Sequence, residues 1–386
     1  MDKLKIKVRD YQISKNMTIE EFADLVSVNK TTISRWTNNN LKDLSIYSCS
    51  KIAVIVSPWS KTLQEEYLQI HLLNMKQRFY INMKVAFVLG HLNGYDNLLA
   101  CILKECEREK SLKLRRWSKV FNLYISRIKG QEVRNLYLKI QKYRVDDNAD
   151  YSDLNVFCDI LSMLCLCDLG DFELMESYKT RINENILQIT NSDLQSLLSY
   201  WMLEIWSYAM LRSNKINEFD ECQTELRKSE NLKLFPVMKA FLDIRSGERF
   251  LFSDYEQSYE FLSKGLDVLA VFKDQLKYPI ALNNMNFLKI LHWRDIESID
   301  LKTLHPAEYA FYLIRKNRKK EAIKILKSLM VKNGKLTALQ TCYMGMALDD
   351  INLISKSIDM FKGKNDFFFV KFAEMIYSEM TKKQTK

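Results

Sequence analysis

The sequence predicts an all-α protein. The chain of 386 residues contains only 9 Gly and 4 Pro, which is less turn punctuation than all-β or doubly wound folds need. From Trp59 onwards, amphipathic segments of roughly 12 to 18 residues alternate with short polar breaks. Hydrophobic residues make up 47% of the chain and charged residues 27%. These proportions are typical of an ordered chain with a sizeable core.

The first predicted elements are two short helices within residues 18–37. Thr18 followed by Glu21 is a capping box, which opens a helix. Ser27 lies at the sharp turn, where a helix-turn-helix more often has Gly, and Asn29 can cap the second helix. The positions predicted to face inwards are Phe22, Ala23, Leu25, Val26, Val28, Ile33 and Trp36.

The outward face of the second helix is polar and suits DNA. Its side chains can donate to phosphate oxygens or read base edges. The spacing of Ala23, Val28, Ile33 and Trp36 resembles helix-turn-helix motifs of the phage-repressor type, which favours DNA binding over a helical hairpin that merely has a polar surface. The residues predicted to contact double-stranded operator DNA are Asn29, Lys30, Thr31, Thr32, Ser34, Arg35 and Asn38.

A supporting helix at Ser45–Val56, stopped by Pro58, completes a predicted DNA-binding domain at residues 1–58. Residues 59–386 then form a helical body. Three of its breaks are each followed by an aromatic residue, and a clear unit with a basic turn at Arg315–Lys320 recurs about 35 residues later. Small residues at the crossing of paired helices resemble degenerate tetratricopeptide repeats, which stack into a superhelix with a concave groove. The alternative is an irregular helical bundle. The three aromatic residues are Phe172, Phe219 and Tyr255.

Positive charge is concentrated in one stretch of the body. The formal net charge is +10, and residues 110–144 hold 11 basic side chains and a single acid, Glu132. Such a surface favours a polyanionic partner. It is equally typical of a solvated helix face, so both interpretations stay open.

No catalytic or metal site is predicted. The 4 His are scattered and the 8 Cys form no C-x-x-C pair, and there is no Gly-rich phosphate loop, G-x-S-x-G or H-E-x-x-H motif. The apolar stretch Asn155–Leu169 is too short to span a bilayer. We therefore predict a cytoplasmic protein with reduced thiols that is not an enzyme and uses no cofactor or metal.

A DNA-binding head on a helical-repeat body resembles the peptide-sensing regulators of Gram-positive bacteria and their phages. Residues 252–268 resemble the Asp-Tyr-Glu repeat of the AimR family of arbitrium receptors, and residues 364–372 resemble its C-terminal end. The resemblance implies a homodimer in the bacterial host cell that binds DNA and promotes lysis. It also implies that a short phage-encoded peptide in the repeat groove switches this activity towards lysogeny.

Three asparagines on one segment, Asn283, Asn284 and Asn286, are predicted to bind that peptide. An amide both donates and accepts hydrogen bonds, and Asn is a poor helix former, so the cluster needs a reason. The resemblance places Asn283 where the family keeps an Asn, and it matches Asp366 to an acidic residue that meets a basic peptide side chain. A polar outer face is the alternative.

Two departures from the family pattern bear on the peptide. The family's groove arginine falls at Leu234, with Lys233 and Arg245 as candidate substitutes, and family asparagines around Ser199–Tyr208 have no counterparts. Three hypotheses follow: a peptide-regulated transcription factor, a peptide-independent phage repressor of the same architecture, and a helical-repeat adaptor for proteins. The polar surface at Lys30–Arg35 argues against the adaptor, since a vestigial head would not need it.

Overall fold

The computed structural model describes residues 3–38, 44–75, 80–108, 111–145, 151–272 and 277–384. Every regular element within these ranges is a helix, which confirms the predicted all-α class. The first nine α-helices are α1 (Lys3–Ser14), α2 (Ile19–Leu25), α3 (Lys30–Thr37), α4 (Ile46–Val56), α5 (Lys61–Asn74), α6 (Tyr80–Asn93), α7 (Asp96–Arg108), α8 (Leu112–Ile128) and α9 (Val133–Gln141). The next six are α10 (Ser152–Leu169), α11 (Met175–Ile186), α12 (Ser192–Arg212), α13 (Ile216–Lys228), α14 (Pro236–Arg249) and α15 (Tyr255–Phe272). The last six are α16 (Lys277–His292), α17 (Pro306–Arg315), α18 (Lys319–Asn333), α19 (Ala338–Leu348), α20 (Ile351–Lys362) and α21 (Val370–Gln384). Short 3₁₀ helices lie at Glu230–Leu234 and Ile296–Ser298.

The chain divides into two compact units. The first unit comprises residues 1–165, 177–204 and 225–239, and the second comprises residues 166–176, 205–224 and 240–386. The predicted DNA-binding segment therefore shares a unit with α5 to α9. The predicted domain boundary after residue 58 stays a prediction.

The core of the first unit is aromatic. Phe87 of α6 stacks on Phe121 of α8 with ring centroids 3.7 Å apart, and Trp117 stacks on Phe157 of α10 at 4.8 Å. All four side chains are buried. These large rings hold the helices of the first unit together through extensive apolar burial.

Helix pairing in the second unit follows the predicted repeats. The pair α17 and α18 turns at residues 316–318, inside the predicted basic turn, and Asn317 takes a left-handed φ of 60° there. Gly345 of α19 lies against α20: a Cβ at this position would meet Ile354 Cδ1 at 2.5 Å and the Asp350 carbonyl oxygen at 3.0 Å. Only a residue without a side chain allows so close a crossing. The small residue predicted at this crossing thus has the expected place.

The aromatic residues that follow three predicted breaks do not all begin a helix. Tyr255 begins α15 as expected, but Phe172 precedes α11 by three residues and Phe219 lies within the first turn of α13. Turn residues mark a break only approximately, because side-chain capping and tertiary contacts set the helix ends.

Candidate DNA-binding head and ligand cluster

The helix pair α2 and α3 has the local geometry that the sequence predicts. Thr18 Oγ1 accepts from the Glu21 amide at 3.2 Å, and Glu21 Oε2 accepts from the Thr18 amide at 2.7 Å, so the capping box is complete. Ser27 adopts a left-handed φ of 51° at the turn, the conformation for which Gly is usually required. Asn29 Oδ1 accepts from the Thr31 and Thr32 amides at 2.9 and 3.4 Å and caps α3.

Most of the predicted inward face of this pair is buried, but Val28 is only partly buried and Leu25 is exposed. Phe22, Ile33 and Trp36 are fully buried, whereas Leu25 is 43% exposed. The prediction that Leu25 belongs to the apolar stripe is therefore wrong.

The outward face of α3 presents the predicted polar side chains to solvent. Lys30, Thr31, Arg35 and Asn38 are exposed, and Thr32 and Ser34 are partly exposed. Lys30 forms an ion pair with Glu20 at 2.7 Å. Arg35 makes no ion pair with any residue that the structure describes. A guanidinium in this state is available to a phosphate or to a guanine edge.

A helix that the sequence reasoning missed supports this pair. Leu4 and Val8 of α1 are buried, the ring of Tyr11 lies 6.0 Å from that of Phe22, and Arg9 Nη2 donates to the Thr37 carbonyl at 3.3 Å. The period of Leu4, Val8 and Tyr11 is the only sequence signal for α1.

Helix α4 joins the pair to the rest of the first unit. Lys51 Nζ donates to the Ser27 carbonyl at 3.2 Å and so holds the strained turn. On the opposite side, the Tyr47 hydroxyl donates to Asn231 Oδ1 at 2.7 Å, and Asn231 Nδ2 donates to Ser196 Oγ of α12 at 2.7 Å. Burial raises the pKa of Tyr47 to about 12, so its hydroxyl stays a hydrogen-bond donor at neutral pH.

In the second unit, a chain of polar contacts links predicted and unpredicted residues. Arg212 Nη2 donates to Asp366 Oδ2, and Arg212 Nη1 donates to the Tyr208 hydroxyl at 3.0 Å. The Arg245 guanidinium stacks on the Tyr208 ring at 3.8 Å. We call this set the arginine cluster; its members are Arg212, Asp366, Tyr208, Arg245, Glu248 and Asn284.

Two further contacts complete the cluster. Arg245 Nη1 donates to Glu248 Oε2 at 2.7 Å, and Asn284 Nδ2 donates to the other carboxylate oxygen, Oε1. The carboxylates of Asp366 and Glu248 are 5% and 8% exposed. The charges of two arginines and two acids therefore balance in a largely buried environment. Electrostatic interactions between them are stronger there than in water.

The buried environment of the arginine cluster shifts the pKa values of its members. Burial raises the pKa of Tyr208, which keeps its hydroxyl protonated. Burial by itself would lower the pKa of Arg212, but Tyr208 and Asp366 outweigh that effect and raise it. Arg212 is thus a permanent cation, held against Asp366 and the ring of Phe369, whose centroid lies 4.5 Å from its Cζ.

A cavity of about 490 Å³ borders the cluster within the second unit. Arg212, Asp366 and Lys364 contribute polar surface to its wall, and Phe172 and Phe369 contribute aromatic surface. Its size falls within the range of about 300–1000 Å³ that is common for ligand pockets.

The structure brings some predicted peptide residues together and separates others. Asp366, Arg245 and Asn284 belong to the arginine cluster, while Asn283 is partly exposed and Asn286 is buried on the same helix, α16. Sequence reasoning missed the cluster residues from other helices, because only tertiary contacts join residues so distant in the chain. The missed members are Arg212, Tyr208 and Glu248.

Leu234 ends the 3₁₀ helix of the first unit and is only 3% exposed. An apolar buried side chain cannot replace an arginine that binds a ligand. Lys233, the other candidate substitute, is exposed and pairs with Glu230 at 2.6 Å.

Within the described ranges, no group of three or more His, Cys, Asp or Glu is arranged to hold a metal ion. None of the helices described combines the length and apolar character that crossing a membrane requires.

Comparison with known proteins places the chain in a family. A family model described as AimR transcriptional regulator-like matches residues 64–375. An uncharacterised protein of Bacillus anthracis is 28% identical over 237 residues, which is 60% of this chain and 87% of that protein. The AimR transcriptional regulator of Bacillus phage SPbeta is 23% identical over 244 residues, and the match covers 61% of each chain.

Solved structures agree on the fold. A structure of phAimR with its ligand matches at a TM-score of 0.72 and 17% identity, covering 84% of this chain and 95% of that one. Selenomethionine phAimR matches at a TM-score of 0.66 and 17% identity, covering 98% and 97%. These matches confirm the helical-repeat body. The family match begins within α5, so helices α1 to α4 lie outside it. Since the family model nevertheless spans most of the chain, this protein belongs to the AimR transcriptional regulator-like family.

Proposed function

We propose that this protein is a DNA-binding transcriptional regulator of the phage lysis–lysogeny decision, and that a short signalling peptide held in its helical-repeat body modulates DNA binding. The observation that carries the DNA part is α3, which is capped by Asn29, anchored by buried Ile33 and Trp36, and exposes Arg35 without an ion pair among the described residues. Family membership supports the regulatory role.

Helix α3 acts as the reading helix in this proposal. Its exposed start, Lys30 to Arg35, offers cationic and hydroxyl groups to base edges and phosphates. One such helix reads only a half-site, so we propose a homodimer on the operator. Both side chains of the ion pair between Lys30 and Glu20 are exposed to solvent. Such pairs contribute about 0–1 kcal/mol, so a phosphate can displace Glu20.

The DNA part is tested with promoter DNA of the phage and full-length protein. We expect Arg35→Ala and Lys30→Ala to weaken binding and to reduce its dependence on salt, because each removes a cation that can meet a phosphate. Glu20→Gln should strengthen binding, since it frees Lys30. Lys324→Ala, an exposed position on α18 in the other unit, is the matched control. Salt-independent binding that none of these changes alters would refute the proposal.

The peptide part rests on the arginine cluster and its cavity. Asp366, Arg212 and the amides of α16 offer complementary charges, donors and acceptors to an extended backbone with charged side chains. A basic peptide side chain would compete with Arg212 for Asp366. That exchange would move Arg212, which ends α12.

Calorimetry with the short peptide encoded next to the gene tests this part, with a scrambled peptide as control. We expect binding by the wild type, weaker binding by Asp366→Asn, and a changed affinity for promoter DNA when the peptide is present. Absence of heat together with an unchanged DNA affinity would remove peptide control from the proposal.

One specific observation favours a second candidate, a peptide-independent regulator of the same architecture. Asp366 and Arg245 already have ionic partners within the chain, and Leu234 is buried and apolar. This candidate expects the same promoter affinity with and without peptide, and the same loss of affinity for Arg35→Ala.

A further inference from the structure

Helices α8 and α9 carry a group of exposed cations. None of them forms an ion pair with any residue in the described ranges, and all six are exposed. Lys110, the first residue of the basic stretch predicted at 110–144, lies outside the described residues. We call this group the basic face; it consists of Arg115, Lys119, Lys129, Arg134, Lys139 and Lys142.

Some exposed cations elsewhere in the first unit pair with acids: Lys3 with Glu66 at 2.6 Å and Arg108 with Glu105 at 2.9 Å. The single acid of the stretch, Glu132, instead accepts from the backbone amides of residues 134 and 135 and caps α9. Glu132 therefore forms no ion pair with the basic face within the described residues.

Arg144 differs from the basic face although it belongs to the same stretch. It lies 3.5 Å from Asp159, a fully buried carboxylate that Arg181 also contacts at 2.7 Å. Arg144 is therefore structural, and the basic face is narrower than the sequence suggested.

The helices turn the basic face outwards. On α8, Trp117 and Phe121 are buried, whereas Arg115 and Lys119 lie one turn apart on the opposite side, about 6 Å along the axis. Arg134 on α9 and Lys142, which directly follows α9, lie four residues before and after exposed Leu138. Cations along such an exposed helix side can neutralise phosphates of a DNA backbone.

The basic face lies close to the proposed DNA-binding head. Helix α6 contacts α4, where Asn82 Oδ1 accepts from the Ile46 amide at 3.3 Å, and it contacts α8 through the stacked rings of Phe87 and Phe121. Packed helices lie about 8–10 Å apart, so α4 and α8, which both contact α6, lie at most about 16–20 Å apart. A turn of DNA spans about 34 Å. The separation between the two helices is therefore shorter than one turn of a duplex.

We infer that the basic face is a second DNA-contact surface, which binds backbone phosphates outside the segment contacted by α3. The inference rests on the proposed DNA binding and extends it to a different surface. It contributes affinity without reading sequence, because its groups are charges that meet phosphates and not base edges. A duplex is favoured over an acidic protein because the head in the same unit would hold DNA nearby, which raises its effective concentration.

The test measures fluorescence anisotropy of full-length protein with a labelled phage-promoter duplex and a random 40-base-pair duplex between 50 and 200 mM salt. The variant is Arg115→Gln with Lys119→Gln, and Lys324→Gln with Lys327→Gln on α18 is the matched control. If both side chains meet phosphates, the log–log salt slope becomes shallower by about 2, and affinity at 0.1 M falls by up to roughly 60-fold. Both duplexes should respond alike, and thermal melting by circular dichroism should show that each variant stays folded.

The outcomes separate the inference from the proposed function. If the wild type binds promoter DNA and Arg35→Ala weakens it, but the α8 variant has an unchanged slope, the inference is overturned and the proposed function stands. If the wild type binds neither duplex, the proposed function itself fails. If the α8 variant and the α18 control lose the same amount of salt slope, the inference is also overturned. Polyglutamate serves as an acidic-protein probe: if the α8 variant loses binding to polyglutamate but keeps its DNA binding, the basic face binds an acidic protein and the inference is overturned.

Discussion

The pair of Arg212 and Asp366 allows a stability prediction whose size follows from the geometry. Asp366 Oδ2 accepts from Arg212, and its other oxygen, Oδ1, accepts from the Phe369 amide at 3.1 Å. In Asp366→Asn the amide oxygen can keep the bond to Phe369. The amide nitrogen then faces Arg212 Nη2. The variant therefore loses the negative charge and the acceptor for Arg212, but it keeps the hydrogen bond from the Phe369 amide.

Removing one partner of a buried ion pair costs about 3–5 kcal/mol. Arg212 is 23% exposed and keeps Tyr208 and the ring of Phe369, and cation–π contacts recover about 0.5–2 kcal/mol. We therefore expect Asp366→Asn to lower the free energy of unfolding by about 2–3 kcal/mol. Arg212→Met should cost about 3–4 kcal/mol, since it leaves a carboxylate that is only 5% exposed.

The double variant tests the reasoning. Because an apolar replacement of a buried pair is often neutral, Arg212→Met with Asp366→Asn should cost no more than the more damaging single change. The resulting interaction energy is about 2 kcal/mol or more. Urea unfolding followed by circular dichroism and by tryptophan fluorescence measures it, and coincident transitions check that a single free energy applies. Additive single effects, or a loss below about 0.5 kcal/mol for Asp366→Asn, would refute the pairing.

Three further predictions concern other places in the fold. Gly345→Ala should lower the free energy of unfolding by about 1–3 kcal/mol, because its Cβ would meet the side chain of Ile354 at 2.5 Å; thermal melting measures this, and Ile354→Val should restore part of the loss. Asn29→Ala should cost about 1 kcal/mol through the lost cap and weaken promoter binding, whereas Asn29→Ser should retain most of both; equal effects of the two changes would contradict the capping role. The hydrogen bond of His305 to Glu308 at 2.7 Å raises the pKa of the imidazole above its ordinary value of 6.5, so its stabilisation is complete below about pH 6.5 and is lost as the pH rises through the folded value. Glu308→Gln should therefore cost up to about 1 kcal/mol at pH 6 and nothing at pH 9, and a loss that does not vary with pH in urea titrations would argue against this ionisation.

The local order of this protein was predictable from its sequence. The capping box at Thr18, the cap at Asn29 and the buried pattern of Ile33 and Trp36 depend on residues within one or two helical turns of each other. The same holds for the helix pair around residue 317 and for the small residue at 345. Here the spacing of side chains along the chain already determines which of them meet.

The tertiary structure alone decided the arginine cluster and the limits of the basic face. Asp366 looked like a free acid for a peptide, but Arg212 contacts it from 154 positions away. Arg144 looked like one more surface cation, but it faces buried Asp159. A charge in a sequence has a known sign but no known environment, and its role depends on burial and on the counter-charge that folding brings near it.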